Sequence, residues 1–250
     1  MLSSYAEQYF EIVRGQQERL FKEQGDMIHK IAVEICDAFH AGHNIFTFGP
    51  GHAGMFAEEL FYRAGGLAFT NPLFHPGLLT SVRPITMSSD LELVPQFPAV
   101  FVDDSPMKEG DILLLHSVAG STPIAIETAL RAREKGVKVF ALICMDYATK
   151  LKPVIPGEPM LYDACDAYID TCGVFGDACV KMSSDASVPA VGPTSSILAA
   201  MIGNLLTVEV CSILLSDSQE LPVFKSGHVD GGTEYNLKLL EKYKDHIFYM

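Results

Sequence analysis

Positive charge is scarce in this 250-residue chain: 18 Lys and Arg stand against 31 Asp and Glu, a formal net charge of −13. Nucleic acids and anionic membranes are held through a basic stripe that releases counterions, so neither fits this composition as a partner. Any phosphate site must instead act locally, through backbone N–H groups, hydroxyls and helix N-termini. An uninterrupted apolar run of the ~18–20 residues that a bilayer span needs is also missing. The longest candidate, Ser195 to Leu215, is broken by Asn204, Thr207 and Glu209. The first residues carry acidic side chains and no continuous apolar core, unlike a signal peptide, so a soluble cytoplasmic protein is expected. In that reducing compartment the six cysteines are expected as thiols. Cys165, Cys172 and Cys179 are evenly spaced, but not at a metal-ligand spacing, and no metal is expected there. A dinucleotide fingerprint is lacking too. Gly49-Pro50-Gly51 puts proline at the tight turn, and the strand that should end in a ribose-binding acid ends in Thr70-Asn71, which excludes a nicotinamide-dependent dehydrogenase.

What is present is globular: 48% of residues are hydrophobic and 20% charged, enough to bury roughly 70–75% of the unfolded chain's surface without staples. Residues 1–42 read as a helical extension, with Tyr5, Tyr9, Ile12 and Val13, then Ile28, Ile31, Ala32 and Ile35, at helical spacing and a break at Gly25-Asp26. Residues 43–250 read as one domain in which short apolar runs alternate with helical patterns. Strands are expected at Asn44 to Phe48, Leu67 to Thr70, Asp111 to Leu115, Lys138 to Ile143 and Ala167 to Asp170. Helices are expected at His52 to Ala64, Thr122 to Lys135, Thr194 to Leu215 and Gly232 to Tyr243, and the proline-rich stretch Asn71 to Met107 reads as an irregular insertion. Such alternation implies parallel pairing and an α/β fold, a three-layer α-β-α sandwich around a mainly parallel five-stranded sheet. Ligands then bind beyond the carboxyl ends of the strands, where connections diverge.

Two turns fall there. In Gly49-Pro50-Gly51-His52-Ala53 the glycines let the backbone turn sharply and approach a ligand, and the helix that follows offers unpaired N–H groups to an anion. In Ser117-Val118-Ala119-Gly120-Ser121-Thr122-Pro123, three hydroxyls surround a glycine, a neutral set able to wrap a phosphate. Ordinary capping by Ser121 or Thr122, with Pro123 in the first turn, uses the same helix end. A third cluster, Val191-Gly192-Pro193-Thr194-Ser195-Ser196, offers Thr194 as a natural N-cap.

The order of strand, glycine turn and helix, then Ser-x-x-Gly-x-Thr, helix and Lys135-Gly136-Val137-Lys138-Val139-Phe140-Ala141-Leu142-Ile143, then Pro193-Thr194-Ser195-Ser196, resembles the sugar isomerase (SIS) domain. Ala57-Glu58-Glu59-Leu60-Phe61-Tyr62-Arg63-Ala64-Gly65-Gly66-Leu67 and the tail Val229-Asp230-Gly231-Gly232 with Leu239-Leu240-Glu241-Lys242-Tyr243 are most similar to a bacterial group of sugar isomerase-like proteins labelled phosphoheptose isomerases. The resemblance covers nearly the whole chain. It implies a flavodoxin-like SIS fold that binds a phosphorylated sugar through Gly49, Gly51, His52, Ala53, Ser117, Ala119, Gly120, Ser121, Thr122 and Thr194. It also implies a homodimer or homotetramer with sites at the subunit interface. Two positions depart from the pattern: Ala53 and Ala119 stand where SIS turns usually carry serine.

Aldose–ketose isomerisation needs a base that moves a proton between adjacent carbons and groups that polarise the carbonyl, and it needs no cofactor. Glu58 and Glu59 follow the first turn on its helix, where consecutive residues point about 100° apart, so one of them at most faces the site. Glu59 is favoured because Phe56, Leu60 and Ala64 mark the neighbouring apolar face; a solvated carboxylate, or one paired with Arg63, is the alternative. His52 and His116 lie at the mouth. His228, beside Asp230-Gly231-Gly232, could reach a neighbouring subunit's site, as the resemblance implies. His75, Glu127 and Asp177 are weaker candidates. Two functions stay open: a phosphosugar isomerase or related lyase, and a non-catalytic phosphosugar sensor or regulator.

Overall fold

A computed structural model describes residues 1–250. Helix α1 (Ser4–His40) starts at Ser3, whose hydroxyl accepts the N–H of Ala6 at 3.3 Å. It is a single helix; the expected break at Gly25-Asp26 does not occur. Val13, Gln16 and Leu20 before the glycine, and Ile28, Ile31, Ala32 and Ile35 after it, are buried along one stripe. Each apolar side chain so buried contributes ~1.5–3 kcal/mol, against ~1 kcal/mol for a mid-helix glycine.

The remaining elements follow as β1 (Ile45–Phe48), α2 (Met55–Leu60), β2 (Thr70–Pro72), α3 (Thr86–Glu92), α4 (Ala99–Val102), β3 (Ile112–His116), α5 (Pro123–Glu134) and β4 (Lys138–Ile143). Then come α6 (Met145–Ala148), α7 (Leu161–Ala164), β5 (Ala167–Asp170), β6 (Ala178–Val180), β7 (Val191–Pro193), α8 (Ser195–Ser216) and α9 (Gly232–Lys242). Five strands form one parallel sheet in the order β2-β1-β3-β4-β5, with Phe48 opposite Leu115 and Leu115 opposite Ala141.

Alternation along the central strands divides the core. Ile112 and Leu114 of β3, with Phe140 and Leu142 of β4, face a layer made by α1, α2 and α8. Leu113 and Leu115, with Val139, Ala141 and Ile143, face α5 and α7. This is the expected three-layer sandwich, with both faces of the sheet covered.

Several local expectations are corrected. The helix after the first turn ends at Leu60 rather than Ala64: Phe61 is extended and Tyr62 has φ +43°. Their rings leave the helix axis to pack edge-on against Phe74, Phe224 and Tyr249. The second strand lies at Thr70–Pro72, not Leu67 to Thr70, and Leu67 instead bridges antiparallel to Val223. Buried Asn71 fixes that register: its side-chain amide donates to the carbonyls of Ile45, Phe69 and His246 and accepts the Phe248 N–H at 2.8 Å. The antiparallel hairpin β6–β7 was not foreseen, because three-residue strands carry no usable periodicity. By length and composition α8 could cross a bilayer despite its three polar interruptions; in this fold Leu198, Ile202, Leu206, Val210 and Leu214 are buried in the core beside α1.

Candidate functional site at the carboxyl ends of β1 and β3

From β1 the chain continues to β2 on one side of the sheet, and from β3 to β4 on the other, so connections diverge between neighbouring β1 and β3. That is the switch point at which open α/β sheets bind ligands. Both glycine turns lie there, as the sequence predicts. At Gly49 a Cβ would come within 2.4 Å of the Ala53 carbonyl oxygen, so the turn closes only around glycine. Residues Gly51–Gly54 form one turn of 3-10 helix that leads into α2, with His52 exposed and Ala53 buried.

The second turn is joined to the first. His116, the last residue of β3, is 1% exposed, and its Nδ1 lies 3.1 Å from the Ala53 carbonyl oxygen. A carbonyl only accepts, so Nδ1 carries the proton and donates. Burial pushes the imidazole down to about 4, against the opposing pull of that carbonyl and of the Asp177 carboxylate. The ring is therefore neutral at pH 7, packed edge-on to Phe56, with a buried Nε2 that has no hydrogen-bond partner.

Beyond His116 the backbone turns at Gly120, which has φ +61° and sits with its would-be Cβ 3.0 Å from Leu161 Cβ. Ser117 Oγ accepts the Gly120 N–H at 3.3 Å and braces the turn. Neither Ser121 nor Thr122 caps α5, contrary to the capping expectation. Thr122 stands at the N-cap position with no side-chain capping bond, and its buried hydroxyl is unpartnered. The N–H groups of Val118, Ala119, Ser121 and Thr122 make no hydrogen bond within the protein. The turn thus has several unused donors, next to the positive end of the dipole of the twelve-residue α5.

Thr194 is also corrected as a cap. It occupies the N-cap position of α8 but is fully buried with a free hydroxyl. Asp177 does the capping: Oδ1 accepts the N–H groups of Thr194 at 3.0 Å and Ser195 at 2.8 Å, and Oδ2 accepts the Ser195 hydroxyl at 2.7 Å. To reach them Asp177 takes φ +66° at the start of the β6–β7 hairpin. A carboxylate at that helix end is favoured by the dipole.

The other candidates lie elsewhere or are engaged. Glu59 is ion-paired with Arg63 and accepts from the Asn204 side chain of α8 at 3.1 Å. Glu58 is exposed. Glu127 accepts the Gln96 N–H at 2.6 Å, which ties the proline-rich insertion to α5. His75 accepts the Gly77 N–H at 3.2 Å and packs on Phe97 and Phe101. His228 is exposed ahead of α9, and its N–H donates to Ser226 Oγ at 3.3 Å. A surface cavity of about 320 Å3 near that loop is lined by Tyr62, Arg63, Lys225, Ser226, Thr233 and Asn236 among others, and by no residue of either turn.

One pair at the mouth went unnoticed in the sequence. Helix α3, inside the stretch read as irregular, carries Ser88 and Glu92 four residues apart and so on one face. A Cβ on Gly51 would lie 3.0 Å from Glu92 Oε1 and 3.7 Å from Ser88 Oγ. That helical spacing was the available signal.

With this geometry in place, the relatives agree with the fold. The SIS-domain family model matches residues 8–144, and the chain belongs to that family. A UPF0309 protein of Shouchella clausii is 36% identical over 247 residues, covering 99% of this chain and 100% of its own. A second UPF0309 protein, from Oceanobacillus iheyensis, is 35% identical over 247 residues with the same coverage of both. Among solved structures, a phosphoheptose isomerase from Francisella tularensis is similar in fold at 14% identity and a TM-score of 0.52, covering 84% of this chain and 100% of that one.

Proposed function

We propose that this protein binds a phosphorylated sugar between the Gly49–Ala53 and Ser117–Thr122 turns and interconverts its aldose and ketose forms. The observation that carries the reading is the uncapped start of α5, where the free N–H groups of Val118, Ala119, Ser121 and Thr122 meet the hydroxyls of Ser121 and Thr122. In a chain of net charge −13 a phosphate dianion needs such a local set of donors. Neutral His116 holds the first turn against the second, so the sugar is met by a fixed pair of loops rather than by two independent ones. His52, exposed on the first turn, is available to the sugar hydroxyls. His228 enters only through a second copy of the chain, and the site is then shared between subunits. Membership of the SIS family supports the ligand class, and the six free cysteines suit a cytoplasmic metabolite enzyme.

A phosphosugar sensor without turnover is the second reading, favoured by Ala53 and Ala119 in place of the usual serines. The first test is a thermal-shift screen against ribose 5-phosphate, glucose 6-phosphate, glucosamine 6-phosphate and sedoheptulose 7-phosphate, each beside its unphosphorylated sugar. A ligand at about 100 times its Kd adds roughly 2.7 kcal/mol. A shift confined to phosphorylated forms supports the site, and no shift with any of them refutes it. Conversion of the bound sugar separates isomerase from sensor.

A further inference from the structure

The mouth contains a carboxylate that neither turn supplies. Glu92, the last residue of α3, lies over Gly51 with Oε1 3.0 Å from the position a Cβ would take there. It makes no hydrogen bond and no ion pair with any side chain of the protein, and Ser88 Oγ beside it is buried and also unpartnered. Two polar groups at the edge of a proposed sugar site thus have nothing of the protein's own to hold. Burial raises the Glu92 carboxyl from its ordinary value, the direction that suits a group that must both take and return a proton. Glu59, by contrast, is held by Arg63 and Asn204.

Charge also sets the direction in which a sugar phosphate can lie. A phosphate dianion is repelled from the Glu92 side and attracted to the free N–H groups of the Val118–Thr122 turn. The roots of the two turns, on neighbouring strands, are ~4.8 Å apart, a gap that a sugar phosphate spans. The phosphate then rests on Ser117–Thr122, and the carbonyl end of the sugar comes to Gly51.

We infer that Glu92, not Glu59, is the carboxylate that moves the proton in the aldose–ketose reaction. This inference rests on the phosphosugar reading above. In the step, the Glu92 carboxylate takes the proton from C2 of the open-chain aldose while a water molecule protonates the C1 carbonyl oxygen, giving an enediol. Glu92 then returns its proton to C1 as the C2 hydroxyl proton passes back to hydroxide, leaving the ketose. No oxidant or reductant enters, and every proton is returned.

The test uses the full chain in D2O with ribose 5-phosphate, glucose 6-phosphate, glucosamine 6-phosphate and sedoheptulose 7-phosphate. Deuterium uptake at the carbons flanking the carbonyl is followed by NMR, with thermal shift reporting binding. Glu92→Gln is expected to keep the phosphosugar shift and to lose exchange at least 100-fold, in the range general acid–base catalysis supplies. Exchange within threefold of wild type in Glu92→Gln overturns the assignment, as does wild-type binding without exchange. Loss of exchange in Glu59→Gln alone returns the role to Glu59. No phosphosugar binding by the wild type sinks the parent reading and this one together, a result distinct from the others. Should Glu92→Gln fail to fold, Glu92→Asp carries the test. It keeps the acid but withdraws it by one methylene, so exchange falls at least tenfold with binding retained, and full exchange overturns the inference.

Discussion

Acidification is expected to destabilise this protein through one side chain, His116. In the folded chain burial between the sheet and α2 pushes its imidazole from the ordinary 6.5 down to about 4. The unfolded chain takes up that proton first as pH falls. Stability contributed by neutral His116 is therefore complete above about pH 6.5, is lost progressively down to about pH 4, and falls no further through this group below that. The gap corresponds to about 3 kcal/mol at ~1.4 kcal/mol per pH unit. For a chain of this length 1 kcal/mol moves Tm by ~2–4 °C, so the loss amounts to roughly 6–12 °C. Carboxylates elsewhere also titrate over part of this range, and a matched variant removes their share. His116→Asn places an amide N–H where Nδ1 donates to Ala53 and cannot charge. It starts from a lower Tm, since the smaller side chain leaves a cavity, but its Tm between pH 7 and 4 falls by ~6–12 °C less than that of the wild type. Parallel pH curves for the two proteins would refute the assignment of a neutral, buried His116.

Two further outcomes follow from the helix ends. Asp177→Ala removes the acceptors for the Thr194 and Ser195 N–H groups and should lower stability by ~0.5–2 kcal/mol in chemical melts, whereas Asp177→Asn keeps one acceptor oxygen and recovers most of it. Equal losses in both variants would show that charge, not capping geometry, matters there. At the start of α5, Ser121→Ala and Thr122→Val each remove a donor to a charged ligand, worth ~1.5–3 kcal/mol, so calorimetric phosphosugar affinity should fall by ~10-fold or more with little change in the Tm of the free protein. Unchanged affinity in both variants would move the phosphate away from that turn.

Much of the architecture was legible in the sequence because it is repeated locally. Ile112 to Leu115 and Val139 to Ile143 are continuous apolar runs with a helix between them, which only a sheet covered on both faces accommodates. Gly49 and Gly120 each follow an apolar strand at a sharp turn, so both loops of the mouth are legible in the sequence. What a residue does within that mouth was decided by partners far along the chain. His116 is bonded to a carbonyl 63 residues away. Asp177 caps a helix that begins 18 residues later, leaving Thr194 free of the task its position implied. Glu59 looked available on its helix until Asn204, 145 residues on, came beside it. Glu92 lies in a proline-rich segment with no clear periodicity, and only the folding of α3 over Gly51 brings it to the mouth. Periodicity records which face of an element avoids water. Burial, tautomer and the approach of one charge to another depend on how those faces meet, and that is settled only when the layers close.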